Sequence, residues 1–408
     1  MWIISNRRID VNSPSGFIFS GISCGIKKNE KDLGLIYSCF STNTLCLFTS
    51  NQIKANSVLI SQSNLRKTNN IRAILVNSGN ANCCWGNEGL EKTYFILEKL
   101  STKLSVQPHQ ILIFSTGVIG KRWPYNKIEK KLDNLVKKLS FQEVDSFAES
   151  ILTTDTFKKV SFQHIVFKKR KVNILGICKG AGMIAPCMAT MLAFILTDAY
   201  VPLTLLKKVI YEANQFSFLR INVDGCTSTN DSFLIMCNGA SGVDVSRDKK
   251  LFNRFFSSLI KVSKDLSTSI VKDAEGATKF IRVRIKGLNF EKARKVFLSL
   301  SNSLLLKSSF FGGVPAWGRI IQAIGQTGLR ISPSDISISY FNKDEKKCVF
   351  RKGKMLNKNF SSLKSILRSK EVGILVELFL KSYRDRVYEF YTSDITPQYI
   401  KINAGLEK

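Results

Sequence analysis

Thr190 is the one hydroxyl side chain in the apolar run PCMATMLAF, residues 186–194. Threonine becomes a nucleophile only when a base takes its proton. The chain has just two histidines, His109 and His164, to serve a Ser-His-Asp or Cys-His arrangement. Acyl transfer needs no histidine when threonine is the first residue of a chain, because its own α-amine, titrating near about 7.7–8.0, acts as the base. The bond before Thr190 must then be cut, and the small Ala189 allows a tight conformation there. The competing reading makes Thr190 the cap of a buried helix. Cys187 offers a thiol three residues earlier, but neither histidine is close to it in sequence.

Composition narrows the chemistry further. Two histidines exclude a His-rich metal site, and the ten cysteines have neither the paired spacing of a zinc site nor the density of a small stapled scaffold. Free thiols in a reducing compartment are expected. A formal charge of +30 attracts anions, yet the lysines are scattered through KKNEK, KRWPYNKIEKK, FKKRK, RDKK and NKDEKK rather than interleaved with aromatics in one basic element. The charge alone would suit a basic RNA-binding protein, but its scatter argues against one, and no specific nucleic-acid partner is expected. No signal-like leader and no run of about 18 apolar residues appears, so a cytoplasmic chain without membrane insertion is expected.

Such a site needs elements that deliver loops to one place. Apolar runs end repeatedly in small polar segments: IRAILVN (71–77) in SGNANCCWGNEG, ILIFS (111–115) in TGVIG, VNILGI (172–177) in CKGAG, and SFLIMC (232–237) in NGASG. These read as buried strands whose loops meet. Helical spacing covers 88–103, 124–138, 202–217, 252–272 and 289–303. MATMLAFILTDA, 188–199, is apolar nearly all round and reads as a buried helix, while FIRVRIKG, 280–287, suits an exposed sheet face or edge. The fold class expected is α/β, mixed sheets covered by helices.

The segment KGAGMIAPCMATMLAFILTDA resembles the cleavage and nucleophile region of the glutamate N-acetyltransferase family, also called ornithine acetyltransferases, of the cyclic arginine pathway. The likeness continues in order through GFIFSGISCGIKK, VNSGNANCCWGNEG, STGVIG, TTDT, INVDGCTSTNDS, VPAWGRI and INAG. It implies a helix–sheet sandwich and a self-cut between Ala189 and Thr190. Fragments 1–189 and 190–408 would share one protomer, with two copies of each in the assembly. Thr190 would take acetyl from N2-acetylornithine and give it to glutamate, with no metal or other cofactor and with acetyl-CoA as a second donor. Thr116 and Gly117 match the oxyanion pair; Thr153, Lys179, Thr190, Glu275, Asn403 and Lys408 match substrate-binding positions. Glu275 is expected near Lys179, either orienting it or meeting a substrate amine. A threonine hydrolase or amidase sharing the same nucleophile is the alternative.

The chain departs from the family pattern at three places. It ends in AGLEK, with Lys408 where a hydroxyl residue is usual, and Val314 and Ala316 replace an Asp and an Asn in FGGVPAWGRI. VDGCTSTND, 223–231, reads as a loop that positions the new terminus or supports the pocket through Asp224, Thr227 and Asn230. Asn403, so near the end of the chain, is expected in a frayed segment.

Overall fold

The computed structural model describes residues 13–185, 191–356, 363–379, 383 and 385–406. The strands are β1 (Phe17–Ile22), β2 (Leu33–Ser38), β3 (Asn43–Phe48), β4 (Ala73–Asn80), β5 (Ile111–Val118), β6 (Lys159–Phe167), β7 (Arg170–Lys179), β8 (Leu192–Thr197), β9 (Ser232–Cys237), β10 (Phe280–Lys286), β11 (Ile336–Phe341), β12 (Lys346–Arg351), β13 (Lys354–Met355), β14 (Glu371–Leu378) and β15 (Val387–Ser393). Three mixed sheets result, in the orders β1-β2-β4-β5, β3-β9-β8-β7-β6 and β13-β12-β11-β14-β10-β15. This α/β architecture is the fold class expected from the sequence.

The first two sheets lie face to face. Phe19, Ile74, Val76, Leu112 and Phe114 of one share a core with Leu175, Ile177, Leu192, Phe194 and Met236 of the other. Outside the first sheet, Leu33, Leu75 and Ile113 pack on Ile60 of the helix Asn56–Lys67 and on Ile96, Leu97 and Leu100 of the helix Gly86–Leu104. Outside the second, Ala193, Ile195 and Phe233 pack on the helices Leu203–Phe216 and Lys249–Lys272. Helix, sheet, sheet and helix therefore form four layers. The third sheet has its own core against the helices Phe290–Ser301, Leu304–Phe311 and Trp317–Gly325.

Three expectations about elements need correction. The stretch read as a helix over 188–199 forms β8 in its described part. Leu192, Phe194 and Leu196 face the partner sheet while Ala193 and Ile195 face helices, so both faces are apolar and no alternation survives to mark a strand. The helical spacing over 124–138 divides into two short helices, Tyr125–Glu129 and Leu132–Lys137, docked through Ile128 and through Leu132 with Leu135. Strand β10 is interior, between β14 and β15, and only its exposed face matches the reading. Its charges are met by neighbouring strands: Arg282 by Glu371 at 3.0 Å, Arg284 by Glu389 at 2.6 Å, and Lys286 by Glu377 at 3.8 Å.

Phe194 is fully buried and meets Phe114 edge-on, their centroids 5.2 Å apart, at the contact between the first two sheets. Phe194→Ala is expected to lower stability by about 3–5 kcal/mol, read as a shift in the urea midpoint. A loss under about 1 kcal/mol would mean that this contact does not hold the sheets together.

Candidate functional site

Register brings the site together. In the antiparallel β7–β8 pair Lys179 lies opposite Leu192, and in the parallel β8–β9 pair Leu192 lies opposite Ser232. The end of β7 and the starts of β8 and β9 therefore meet at one end of the sheet, just downstream of position 190. The other sheet joins them there. Asn230, just before β9, donates from Nδ2 to the carbonyl of Ala81 at 2.7 Å and to that of Ser115 at 2.8 Å. Ser115 leads into Thr116 and Gly117 at the end of β5.

That strand end is built for close backbone approach. Gly117 has φ +131, and a Cβ on it would lie 2.3 Å from the carbonyl carbon of Gly79, its partner across the β4–β5 pair. Asn77 holds the neighbouring turn: its Oδ1 accepts from Ser115 Oγ at 2.7 Å and Trp123 Nε1 at 3.1 Å, and its Nδ2 donates to Asn80 O at 2.8 Å. Thr116 is buried, whereas Gly117 is exposed.

Lys179 and Thr153 come into direct contact, the buried ammonium donating to Thr153 Oγ1 at 2.6 Å. Behind them lies a residue the sequence reading had not singled out. Asp155 is fully buried and accepts from Lys159 Nζ at 2.7 Å, Gly180 N at 2.6 Å and Thr153 N at 3.1 Å, with Lys179 Nζ 3.6 Å away. Burial alone would raise its pKa, but Lys159, Lys179 and the Gly180 N–H outweigh that and hold it well below the usual carboxylate range. Lys159 also meets Asp273 at 2.5 Å, and Asp273 accepts from the backbone N–H and hydroxyl of Thr156. Burial would lower the Lys159 pKa, yet Asp155 and Asp273 keep it above the ordinary value.

Glu275 is placed differently from the expectation that it orients Lys179. Its Oε2 accepts from Asn403 Nδ2 at 2.9 Å, while Thr153 and Asp155 surround the lysine. The Glu275 N–H reaches the Ala181 carbonyl at 3.1 Å, and its carboxyl presses on Gly182, where a Cβ would fall 2.4 Å from Glu275 Cδ. Asn403 is not in a frayed tail. It ends the helix Pro397–Asn403, whose Thr396 cap donates to Gly276 O at 2.6 Å and fixes the helix beside Glu275. Glu275 also borders a cavity of about 70 Å³ shared with Asp224, Lys307 and Tyr399.

Ala189, Thr190, Cys187 and Lys408 lie outside the described residues. At the departures from the family pattern, Val314 N donates to Ser309 O at 2.9 Å and Trp317 stacks on Phe350, so backbone bonds and aromatic packing hold this loop without the usual polar pair. Among the described residues, no group of three or more His, Cys, Asp or Glu is arranged to hold a metal, and no helix is long and apolar enough to cross a membrane.

Two buried lysines yield predictions. Lys159→Met leaves Asp155 and Asp273 without their shared cation and should lower stability by about 3–5 kcal/mol in urea denaturation. Lys307 donates to the carbonyls of Val223 at 2.7 Å and Ser393 at 2.6 Å, and burial pushes its pKa down to about 8, only partly opposed by Asp394 and Asp224. An unfolded lysine titrates near about 10.4, so between those values the unfolded chain binds more protons and stability rises with pH. The melting temperature is therefore expected to gain an increment between about pH 8 and 9.5 that Lys307→Met abolishes; identical profiles for the two proteins would contradict this.

A family model described as the ArgJ family matches residues 18–407. The arginine biosynthesis bifunctional protein ArgJ 1 of Clostridium acetobutylicum is 39% identical over 391 residues, covering 94% of each chain. The arginine biosynthesis bifunctional protein ArgJ of Thermotoga neapolitana is 35% identical over 394 residues, 96% of this chain and 98% of its own. Among solved structures, the crystal structure of the ArgJ protein from Bacillus halodurans is 32% identical with a TM-score of 0.41, over 43% of this chain and 92% of that chain. By the extent of the family match and the identity of the two bifunctional proteins, the chain belongs to the ArgJ family.

Proposed function

We propose that the chain is a glutamate N-acetyltransferase of arginine biosynthesis that activates itself by cutting between Ala189 and Thr190. Thr190 Oγ attacks the Ala189 carbonyl carbon, and the bond to the Thr190 nitrogen breaks as that nitrogen takes up a proton. Water then hydrolyses the resulting ester, leaving the Ala189 carboxylate and a free Thr190 with its own α-amine as base. Fragments 1–189 and 190–408 stay together, two copies of each, in the cytoplasm.

The amine draws the proton from Thr190 Oγ, which attacks the acetyl carbon of N2-acetyl-L-ornithine. The amide bond breaks, and L-ornithine leaves with a proton on its amine. The acetyl-Thr190 ester is then attacked by the amine of L-glutamate, giving N-acetyl-L-glutamate and restoring Thr190. The Thr116 hydroxyl and Gly117 N–H serve the oxyanion in both halves. Thr153, Lys179, Glu275, Asn403 and Lys408 hold the amino-acid substrates, and acetyl-CoA acts as a second acetyl donor.

The observation that carries this reading is the convergence at one sheet end of the Lys179–Thr153 contact and the β5 terminus on the start of β8, immediately after position 190. The relatives named arginine biosynthesis bifunctional proteins support the reaction class.

Purified protein is expected to show two masses meeting at Ala189 and Thr190, and to move labelled acetyl from N2-acetylornithine to glutamate. Thr190→Ala should stay whole and transfer nothing. Release of labelled acetate with no acetylglutamate would favour the hydrolase instead, and a wild-type chain that stays whole would sink the processed-nucleophile reading.

A further inference from the structure

The loop from Val223 to Asp231 touches the chain on both sides of position 190. Upstream, Asp224 Oδ2 accepts from Met183 N at 2.6 Å and Oδ1 from Ile184 N at 2.9 Å. Val223 N donates to the Ile184 carbonyl at 2.8 Å, so the Ile184 peptide groups are held from both directions. Met183 has φ +57, a left-handed conformation that residues with side chains seldom adopt. Downstream, Asp231 Oδ1 accepts from Met191 N at 2.9 Å, and Ser232 N donates to Met191 O at 3.0 Å. The Met191 nitrogen belongs to the peptide bond that follows Thr190.

The loop is itself anchored. Thr49 Oγ1 donates to Ser228 O at 2.7 Å, Asn51 Nδ2 to Thr227 O at 2.9 Å, and Ala55 N to Thr229 O at 3.0 Å. Asn222 Oδ1 accepts from Gly225 N at 3.0 Å, and Asn230 bonds the ends of the facing sheet. Asp231 is fully buried, and its Oδ2 has no hydrogen-bond partner among the described residues. Burial pushes the Asp231 carboxyl well above the usual range, so the group sits there at a desolvation cost while one of its oxygens is committed to Met191.

We infer that this loop is a two-ended clamp for self-cleavage: Asp224 fixes the chain upstream of the scissile bond and Asp231 fixes it downstream. Both are positioning residues, and the inference rests on the proposed cut between Ala189 and Thr190. An intramolecular attack by Thr190 Oγ on the preceding carbonyl needs a near-attack geometry, and this loop pins the described residues on both flanks, Met183 and Ile184 before the cut and Met191 after it. Both ends of the clamp come from one short loop, so a single rigid element sets their separation.

The test follows cleavage by intact mass in wild type, Asp224→Asn and Asp231→Ala, the latter removing the acceptor of the Met191 N–H, purified in the cold and then warmed. An asparagine keeps one acceptor oxygen, so Asp224→Asn must lose one of its two upstream bonds. Each variant is expected to cut at least tenfold more slowly than wild type, while circular dichroism reports a cooperative melt. In the uncut Thr190→Ala background, Asp224→Asn should speed amide hydrogen exchange at Met183 and Ile184, and Asp231→Ala should speed it at Met191. A structural role alone would not localise the effect in this way. If the buried Asp231 variant fails to fold, the half-buried Asp224 position carries the test. Folded variants that cut at the wild-type rate would overturn the clamp while leaving self-cleavage standing, whereas a wild-type chain that never cuts overturns both.

Discussion

Asp155 carries a negative charge where water does not reach, and the border of the site is organised by its neutralisation. A buried carboxylate survives only if cations and N–H groups surround it, and here they are Lys159, Lys179, and the backbone of Thr153 and Gly180. Each of those groups is thereby placed. Lys179 is held at the end of β7 with its ammonium on Thr153, and Gly180 begins the loop that runs toward Ala181 and Gly182. Asp273 continues the network through Lys159 and lies two residues before Glu275, so one chain of ion pairs and hydrogen bonds reaches both sides of the loop. Its value lies in geometry more than in net stability, since buried ion pairs roughly repay the desolvation they incur.

The four layers explain why this network can be so dry. Two sheets pressed together at their apolar faces leave their strand ends as the place where polar loops collect. Strands β4, β5, β8 and β9 contribute ends to one region, and Asn230 crosses between the sheets to tie them. Because β8 is covered on both faces, its start cannot move without disturbing the core around Phe194 and Leu192. Met191, which leads into this strand and bonds to Asp231 and Ser232, inherits the rigidity of the whole sandwich.

Much of this was legible in the sequence. The runs ending in SGNAN, TGVIG and CKGAG are strands whose loops meet, because small and polar residues after an apolar run mark the point where a chain leaves a sheet. The run ending in NGASG is a strand too, but it lies parallel to β8, so its loop sits at the opposite sheet end against Ala199 and Arg170, contrary to the reading that all four meet. The likeness to a family picked out Thr153 and Lys179, which touch, and Glu275 and Asn403, which also touch. The misreading of β8 has a plain cause: burial on both faces removes the period of two, and a short apolar run then fits helix or strand alike. Asp155 escaped notice because its partners Lys179 and Gly180 come from another segment, and pairing between segments leaves no local pattern. A usable signal lay in composition, since 31 acids among 61 lysines and arginines make each buried acid costly to misplace.

That imbalance also bears on what the site is suited to hold. The chain is strongly basic overall, yet Asp155, Asp224, Asp231, Asp273 and Glu275 all lie on segments that touch the chain flanking position 190, accompanied by the buried cations Lys159, Lys179 and Lys307. Acidic and basic side chains are thus gathered within a few strand ends and loops, with burial holding Asp224 and Asp273 above and Asp231 well above the usual carboxylate range, while the excess of lysine is scattered over the sequence. A polyanion would gain from the scattered excess and be repelled by the acids at the site. The net charge of the whole chain is therefore no guide to this sheet end, where acids and bases are gathered together and already hydrogen-bonded within the chain.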